Sequence, residues 1–113
     1  MTDTPPKPDF HSIDMRVGTV LTAEPFVGAR KPAIKLTIDF GPEIGVKRSS
    51  AQLTVHYTPD QLIGRKVIAA VNLGTRRIAT FDSEVLVLGA MPLPTEVILL
   101  QPDRDVANGT RIG

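Results

Sequence analysis

Thr58-Pro59-Asp60-Gln61-Leu62-Ile63-Gly64 is the stretch on which the fold turns. Thr58 is a good helix N-cap, and Pro59 suits the first helical position, where its missing N–H costs nothing. Gly64 suits the left-handed position after the last turn. The stretch predicts one short helix of about six residues. What flanks it reads as strand. Upstream, Ile34, Leu36, Ile38 and Phe40 alternate with Lys35, Thr37 and Asp39, the pattern of a half-buried antiparallel strand. Gly41-Pro42 ends that strand and Gly45 sits in the following turn. Arg16–Glu24 reads as an earlier strand with Val17, Thr19, Leu21 and Ala23 on one face, broken by Pro25 and Gly28. Lys47–Val55 reads as a third. Ser49, Ala51, Leu53 and Val55 share one face, with Arg48, Ser50, Gln52 and Thr54 on the other.

Beyond the helix, Lys66–Val71 predicts a fourth strand and Ser83–Leu88 a fifth, joined by a long loop, Asn72–Asp82. Val97–Leu100 is a further short strand, and Asn108-Gly109 is a type I′ turn signal that would fold Thr110–Ile112 back beside it. At the other end, Asp9 can cap one helical turn over Phe10–Ile13. Three strands, a short helix and two more strands is the element order of an OB-fold, a small, partly open barrel. The expected class is therefore all-β: a five-stranded barrel with a C-terminal β extension. An SH3-like barrel, the rival, has no helix at that position.

Composition agrees with this. The chain has 113 residues, one domain's worth, with a core that buries roughly 60–68% of the unfolded surface. Ten Pro and nine Gly against four Phe, one Tyr and no Trp predict many turns and an aliphatic core. Residues 1–8 carry three Pro and no apolar residue after Met1, a flexible tail, leaving 9–113 as the folded domain. No apolar run approaches the ~20 residues of a membrane helix, and Met1–Pro6 does not read as a signal peptide. With no Cys there is neither a disulfide framework nor a thiolate site, and the expected compartment is the cytoplasm. Formal net charge is only +1, yet Arg30–Arg77 holds nine basic and three acidic residues. Either that segment forms a one-sided cationic surface, or folding mixes it with the acidic ends.

Catalytic constellations are missing. His11 and His56 lie far apart with no second ligand at metal spacing, so no metal is expected. Ser49-Ser50 has no nucleophile-elbow context, and no Gly-rich loop precedes a Lys-Ser/Thr pair. Asp82 and Glu84 flank one another at a loop end without the geometry of an acid/base pair. The chain reads as a binding protein with no cofactor.

The Asn72–Ser83 loop carries the binding chemistry. It sets Arg76-Arg77, Asn72 and Ser83 where OB-folds take ligands. Paired Arg grip phosphates, carboxylates or peptide carbonyls; equally, one Arg could pack on the barrel while the other is solvated. Ser50 and Gln52, with Arg48, add donors on the strand-three face, which could equally be a plain solvent face. Scattered aromatics leave at most one or two rings for stacking, which disfavours generic single-strand binding.

Asp14-Met15-Arg16-Val17-Gly18-Thr19-Val20 resembles the opening motif of the tRNA-binding OB domains. These are appended to methionyl- and phenylalanyl-tRNA synthetases and also occur free-standing. Asn72-Leu73, Arg76-Arg77-Ile78 and Ser83 resemble their loop before strand five. Pro32–Gly41 with Ile44–Gln52, Ser83–Gly89, Leu99–Asp103 and Asn108–Thr110 are similar to the CsaA-type secretion chaperones of that family. The resemblance runs from about Phe10 to Gly113. It implies an OB-fold homodimer that binds unfolded or pre-secretory polypeptides, with structure-specific tRNA binding as the alternative. The tRNA-binding motif carries over to Ser49, Ser50, Asn72, Arg76, Arg77 and Ser83, and Gln52 joins them from the strand-three face. The tRNA binders have Gly-Met where Glu84-Val85 stands, a Gly where Thr80 stands, and a Pro where Gly74-Thr75 stands. A homodimer also follows from the apolar tail, since Val85–Leu88, Met91, Leu93 and Val97–Leu100 exceed what five strands can cover.

Overall fold

The structure, a computed structural model, describes residues 9–113. The tail reading of residues 1–8 lies outside the described residues. Nine strands form: β1 (Met15–Pro25), β2 (Ile34–Asp39), β3 (Val46–Ala51), β4 (Lys66–Ala70), β5 (Arg76–Ile78), β6 (Phe81–Ser83), β7 (Leu86–Val87), β8 (Gly89–Leu93) and β9 (Glu96–Leu99). Among the described residues two one-turn α-helices interrupt them, α1 (Gly41–Ile44) and α2 (Pro59–Leu62), and a 3-10 turn at Phe10–Ser12 precedes β1. β1 organises the rest. Its first half pairs with β4 and its second with β2, and an irregularity between Val20 and Thr22 bends it between the two. The resulting antiparallel sheet, ordered β3-β2-β1-β4-β7, curls until β7 approaches β3, giving the nearly closed five-stranded barrel of an OB-fold.

The helix after β3 stands where Thr58–Gly64 placed it. The Gln61 side chain accepts the Thr58 N–H at 3.0 Å, and Gly64 sits at φ +83°, a conformation that suits Gly. Leu62 is fully buried, so α2 stoppers the barrel, and backbone bonds from Gly64 to Val20 (2.8 Å) and Val20 to Arg65 (3.0 Å) tie it to β1. Ile34, Leu36, Ile38 and Phe40 point inward as their alternation predicts, and meet Val20, Leu53, Val67 and Ala69 in the core. Each such side chain contributes about 1.5–3 kcal/mol through burial. Gly18 is small for steric reasons: a Cβ there would lie 2.6 Å from Ile38 and 2.8 Å from Phe40.

Other readings are corrected. The face read as Val17, Thr19, Leu21 and Ala23 is not one core face: Gly18 and Val20 turn toward Ile38 and Phe40, Leu21 is exposed at the irregularity, and Ala23 packs on the core beyond it. The third strand stops at Ala51 rather than Val55, because the Leu53 N–H turns back to the Ala51 carbonyl; Leu53 stays buried and Val55 is exposed. The turn after Phe40 is the helix α1. Asn72–Asp82 is no simple loop: Arg76–Ile78 and Phe81–Ser83 pair as a hairpin whose turn holds Ala79 at φ +52°. The single fifth strand is split into β6 and β7, with Glu84 and Val85 both donating to the Arg48 carbonyl between them. Thr110–Ile112 folds back on β1, not on β9. The Gly109 N–H reaches the Val17 carbonyl at 2.8 Å and the Ile112 N–H the Met15 carbonyl at 2.9 Å. That face of β1 has open backbone groups, whereas β9 is already paired with β8. The Asp9 cap is present, its carboxylate accepting the His11 N–H at 2.9 Å.

Candidate binding groove

Where β3 runs out and β7 begins, the barrel gapes. At one end β3 is stitched to residues 83–85, which end β6 and lead into β7. The Ser49 hydroxyl donates to the Val85 carbonyl at 3.1 Å, the Ser83 hydroxyl accepts the Ser50 N–H at 3.0 Å, and the Glu84 N–H donates to the Arg48 carbonyl at 2.8 Å. Past Ser50 the stitching stops, and a groove of about 740 Å³ opens, within the roughly 300–1,000 Å³ of binding clefts. Its lining is largely apolar and includes Ala33, Ile78, Leu86, Val87, Met91 and Val97. Arg30, Lys31 and Arg76 stand at it, and no acidic side chain lines it.

The sequence-read residues divide accordingly. Ser50, Gln52 and Arg76 line the groove together. Ser49 and Ser83 are buried, and their hydroxyls are spent on the seam. Arg77 neighbours Arg76 in the strand and so points the other way, where it meets Asp82 at 2.7 Å. That ion pair, with the guanidinium donating, holds the Asp82 carboxyl below its ordinary value. Asn72 stands apart: its amide donates to the Ser12 carbonyl and accepts the Asp14 N–H, both at 2.8 Å, locking the N-terminal turn onto the barrel.

Both readings of the basic segment hold, in different places. Arg48 and Arg77 are neutralised by Glu84 and Asp82, and Lys35 by Glu24. Arg30, Lys31 and Arg76 have no carboxylate within 4.0 Å among the described residues, and these three gather at the groove. Sequence reasoning passed over Arg30 and Lys31 as site residues because they lie in the Gly28–Pro32 turn, and only the folded barrel brings that turn to Arg76. It also missed an edge-to-face aromatic pair that involves the hairpin's Phe81. The Phe26 and Phe81 rings meet edge to face at 5.5 Å, with the Lys35 ammonium 5.5 Å and 5.7 Å from their centres.

A family model of tRNA-binding domains matches residues 15–111, nearly the whole described barrel. The chain belongs to the tRNA-binding domain family. Within that family, the fold is similar to the crystal structure of the chaperone CsaA from Bacillus anthracis, with a TM-score of 0.88, 50% identity and coverage of 96% of this chain and all of that one. The CsaA chaperone protein of Picrophilus torridus gives 0.86 and 48%, over 93% of this chain and 95% of its own. Methionine–tRNA ligase of Methanococcoides burtonii is 34% identical over 104 residues, 92% of this chain. The chain spans only 15% of that ligase's length, so what it shares with the enzyme is one tRNA-binding domain's worth of sequence. Among the described residues, no helix is long and apolar enough to cross a membrane.

Proposed function

We propose that residues 9–113 act as one homodimeric OB unit, an export-related chaperone that binds unfolded or pre-secretory polypeptides in the cytoplasm and catalyses no reaction. The observation that carries this reading is the groove: a largely apolar lining that includes Arg30, Lys31 and Arg76 and no carboxylate. Unfolded chains offer apolar side chains and backbone carbonyls, and such a surface accepts both. Similarity to two CsaA chaperones near half identity supports it.

Structure-specific tRNA binding is the second reading, favoured by the family match over residues 15–111. Against it stands the neutralisation of Arg48 and Arg77, which removes two cations from the face a phosphate backbone would use. Titration with bulk tRNA and with a reduced, unfolded test protein, at low and high salt, separates the two. Phosphate binding falls steeply with salt, whereas apolar groove binding does not. The chaperone reading expects aggregation of the test protein to be suppressed at both salt levels. Tight, steeply salt-dependent tRNA binding without such suppression reverses the assignment.

A further inference from the structure

Charge is distributed unequally around the groove. Glu24 is taken by Lys35 at 3.1 Å, Asp82 by Arg77 at 2.7 Å, Glu84 by Arg48 at 3.3 Å, and Glu96 meets His56 at 2.5 Å. These carboxylates stand on β1, β6, the residue after it and β9, the elements that frame the cleft, yet none of them lines it. Arg30, Lys31 and Arg76 do line it, and among the described residues no carboxylate lies within 4.0 Å of any of the three. The cleft continues past Lys31 and Gln52, which also line a smaller cavity of about 320 Å³ beside Val55 and Thr95, again with no acidic side chain. Three cations thus face a largely apolar cleft, and the carboxylates around it are engaged elsewhere.

From this we infer that the groove selects its polypeptide by charge: it holds apolar segments that carry Asp or Glu and rejects those that carry Lys or Arg. The inference rests on the polypeptide reading above and names the class of segment bound. Apolar side chains of any kind gain by leaving water against Ala33, Ile78 and Val97, so that contact binds without choosing. The choice comes from the cations. Arg and Lys hold a carboxylate through charge-assisted hydrogen bonds, and a like charge brought to the same place is repelled. Apolar walls lower the local dielectric and strengthen both effects relative to open water. A secretory signal begins with a basic stretch ahead of its apolar run. The groove repels that start and favours acidic, apolar stretches further along a pre-secretory chain.

Three unlabelled peptides of one length test this by titration calorimetry on the full chain, with Val at alternate positions and Glu, Gln or Lys between them. Charge selection expects the Glu peptide to bind about ten-fold more tightly than the Gln peptide, the equivalent of one charge-assisted contact, and the Lys peptide to bind more weakly than either. The double variant Arg30→Glu with Arg76→Glu, both at exposed positions, leaves two carboxylates against Lys31 and should invert the order. The wild-type ranking decides the question even where the variant does not fold. Equal affinities for the Glu and Lys peptides, or a preference for Lys, overturn charge selection while leaving a polypeptide groove intact. Failure of all three peptides and of an unfolded test protein to bind overturns the polypeptide reading itself, and the selection with it. Steeply salt-dependent binding of bulk tRNA that the double variant loses, without any peptide binding, assigns the same cations to phosphate and overturns both.

Discussion

Glu84 is held by Arg48: its carboxylate accepts the Arg48 backbone N–H at 3.0 Å and the guanidinium Nε–H at 3.3 Å. Glu84 therefore belongs to the seam between β3 and the end of β6, and one of its effects is to pair a cation. Glu84→Gln keeps an oxygen for the backbone bond but removes the nearer of the two carboxylates at Arg48, leaving Asp82 at 3.9 Å. The variant should bind bulk tRNA more tightly, with a log K against log salt slope steeper by about one. Its stability should fall by no more than about 1 kcal/mol, as expected for a half-exposed pair. An unchanged slope would mean that Arg48 does not face the nucleic acid.

Arg76 and Arg77 are adjacent but separable. Arg76→Ala removes a groove cation and should weaken binding of unfolded polypeptide by about 1–3 kcal/mol while leaving urea stability nearly unchanged. Arg77→Ala breaks an exposed pair with Asp82 and should alter polypeptide affinity little. Equal losses from the two substitutions would show that the hairpin binds as a whole rather than through its groove face.

Ser83→Ala tests the seam. The buried hydroxyl accepts the Ser50 N–H and lies 3.4 Å from the Val85 carbonyl. Its loss leaves a part-buried donor without a partner, at a cost of about 1–3 kcal/mol. In a domain of this size each kcal/mol lowers Tm by about 4–8 °C. A variant melting with the wild type would place a water in the hydroxyl's stead.

Asp14 gives the fold a pH dependence. Its carboxylate takes hydrogen bonds from Arg16 at 2.6 Å and 3.3 Å, and this, with the Arg16 charge, holds its pKa below the ordinary 3.8. A carboxyl depressed on folding stabilises the native state above the unfolded value, and that contribution is lost as pH falls through the folded one. Asp14→Asn should therefore be less stable than wild type at neutral pH, with the difference shrinking as pH falls below the ordinary 3.8, measured by urea midpoint. A constant difference across pH would assign the effect to packing rather than charge.

What was legible in the sequence and what was not divide along one physical line. The Ile34–Phe40 alternation and the Thr58–Gly64 helix are local signals, and both stand as read. The bend in β1 was not legible, since nothing in Val20-Leu21-Thr22 announces that Leu21 will be displaced to solvent. Nor was the β5–β6 hairpin, whose turn places Ala79 at φ +52° where a Gly or Asn would have advertised it. Of the residues read from the Asn72–Ser83 segment, Arg76 reaches the groove, because strand alternation sends it opposite to Arg77. The groove's other cations come from the Gly28–Pro32 turn, whose approach to Arg76 is a property of barrel closure alone.

Barrel closure also leaves an apolar face behind. Leu93 on β8 is 59% exposed, and Ile98 on β9 and Leu100 just after it are each more than two-fifths exposed, all three outside the groove lining. These residues belong to the apolar excess anticipated from the tail's composition: β9 turns Val97 and Leu99 to the barrel and Ile98 and Leu100 away from it, and among the described residues β8 and β9 pair only with each other. If a second copy of the chain covers it, the species in solution has about twice the 12.2 kDa of one chain. A two-fold interface presents each substitution twice, so a single charge is amplified. Leu93→Lys, which lies outside the groove, should then give a folded monomer by light scattering at micromolar concentration, with Arg76 and the groove lining untouched. Wild type scattering as a stable 12.2 kDa species would show instead that the hairpin tolerates water, and would remove the dimer from the proposed function.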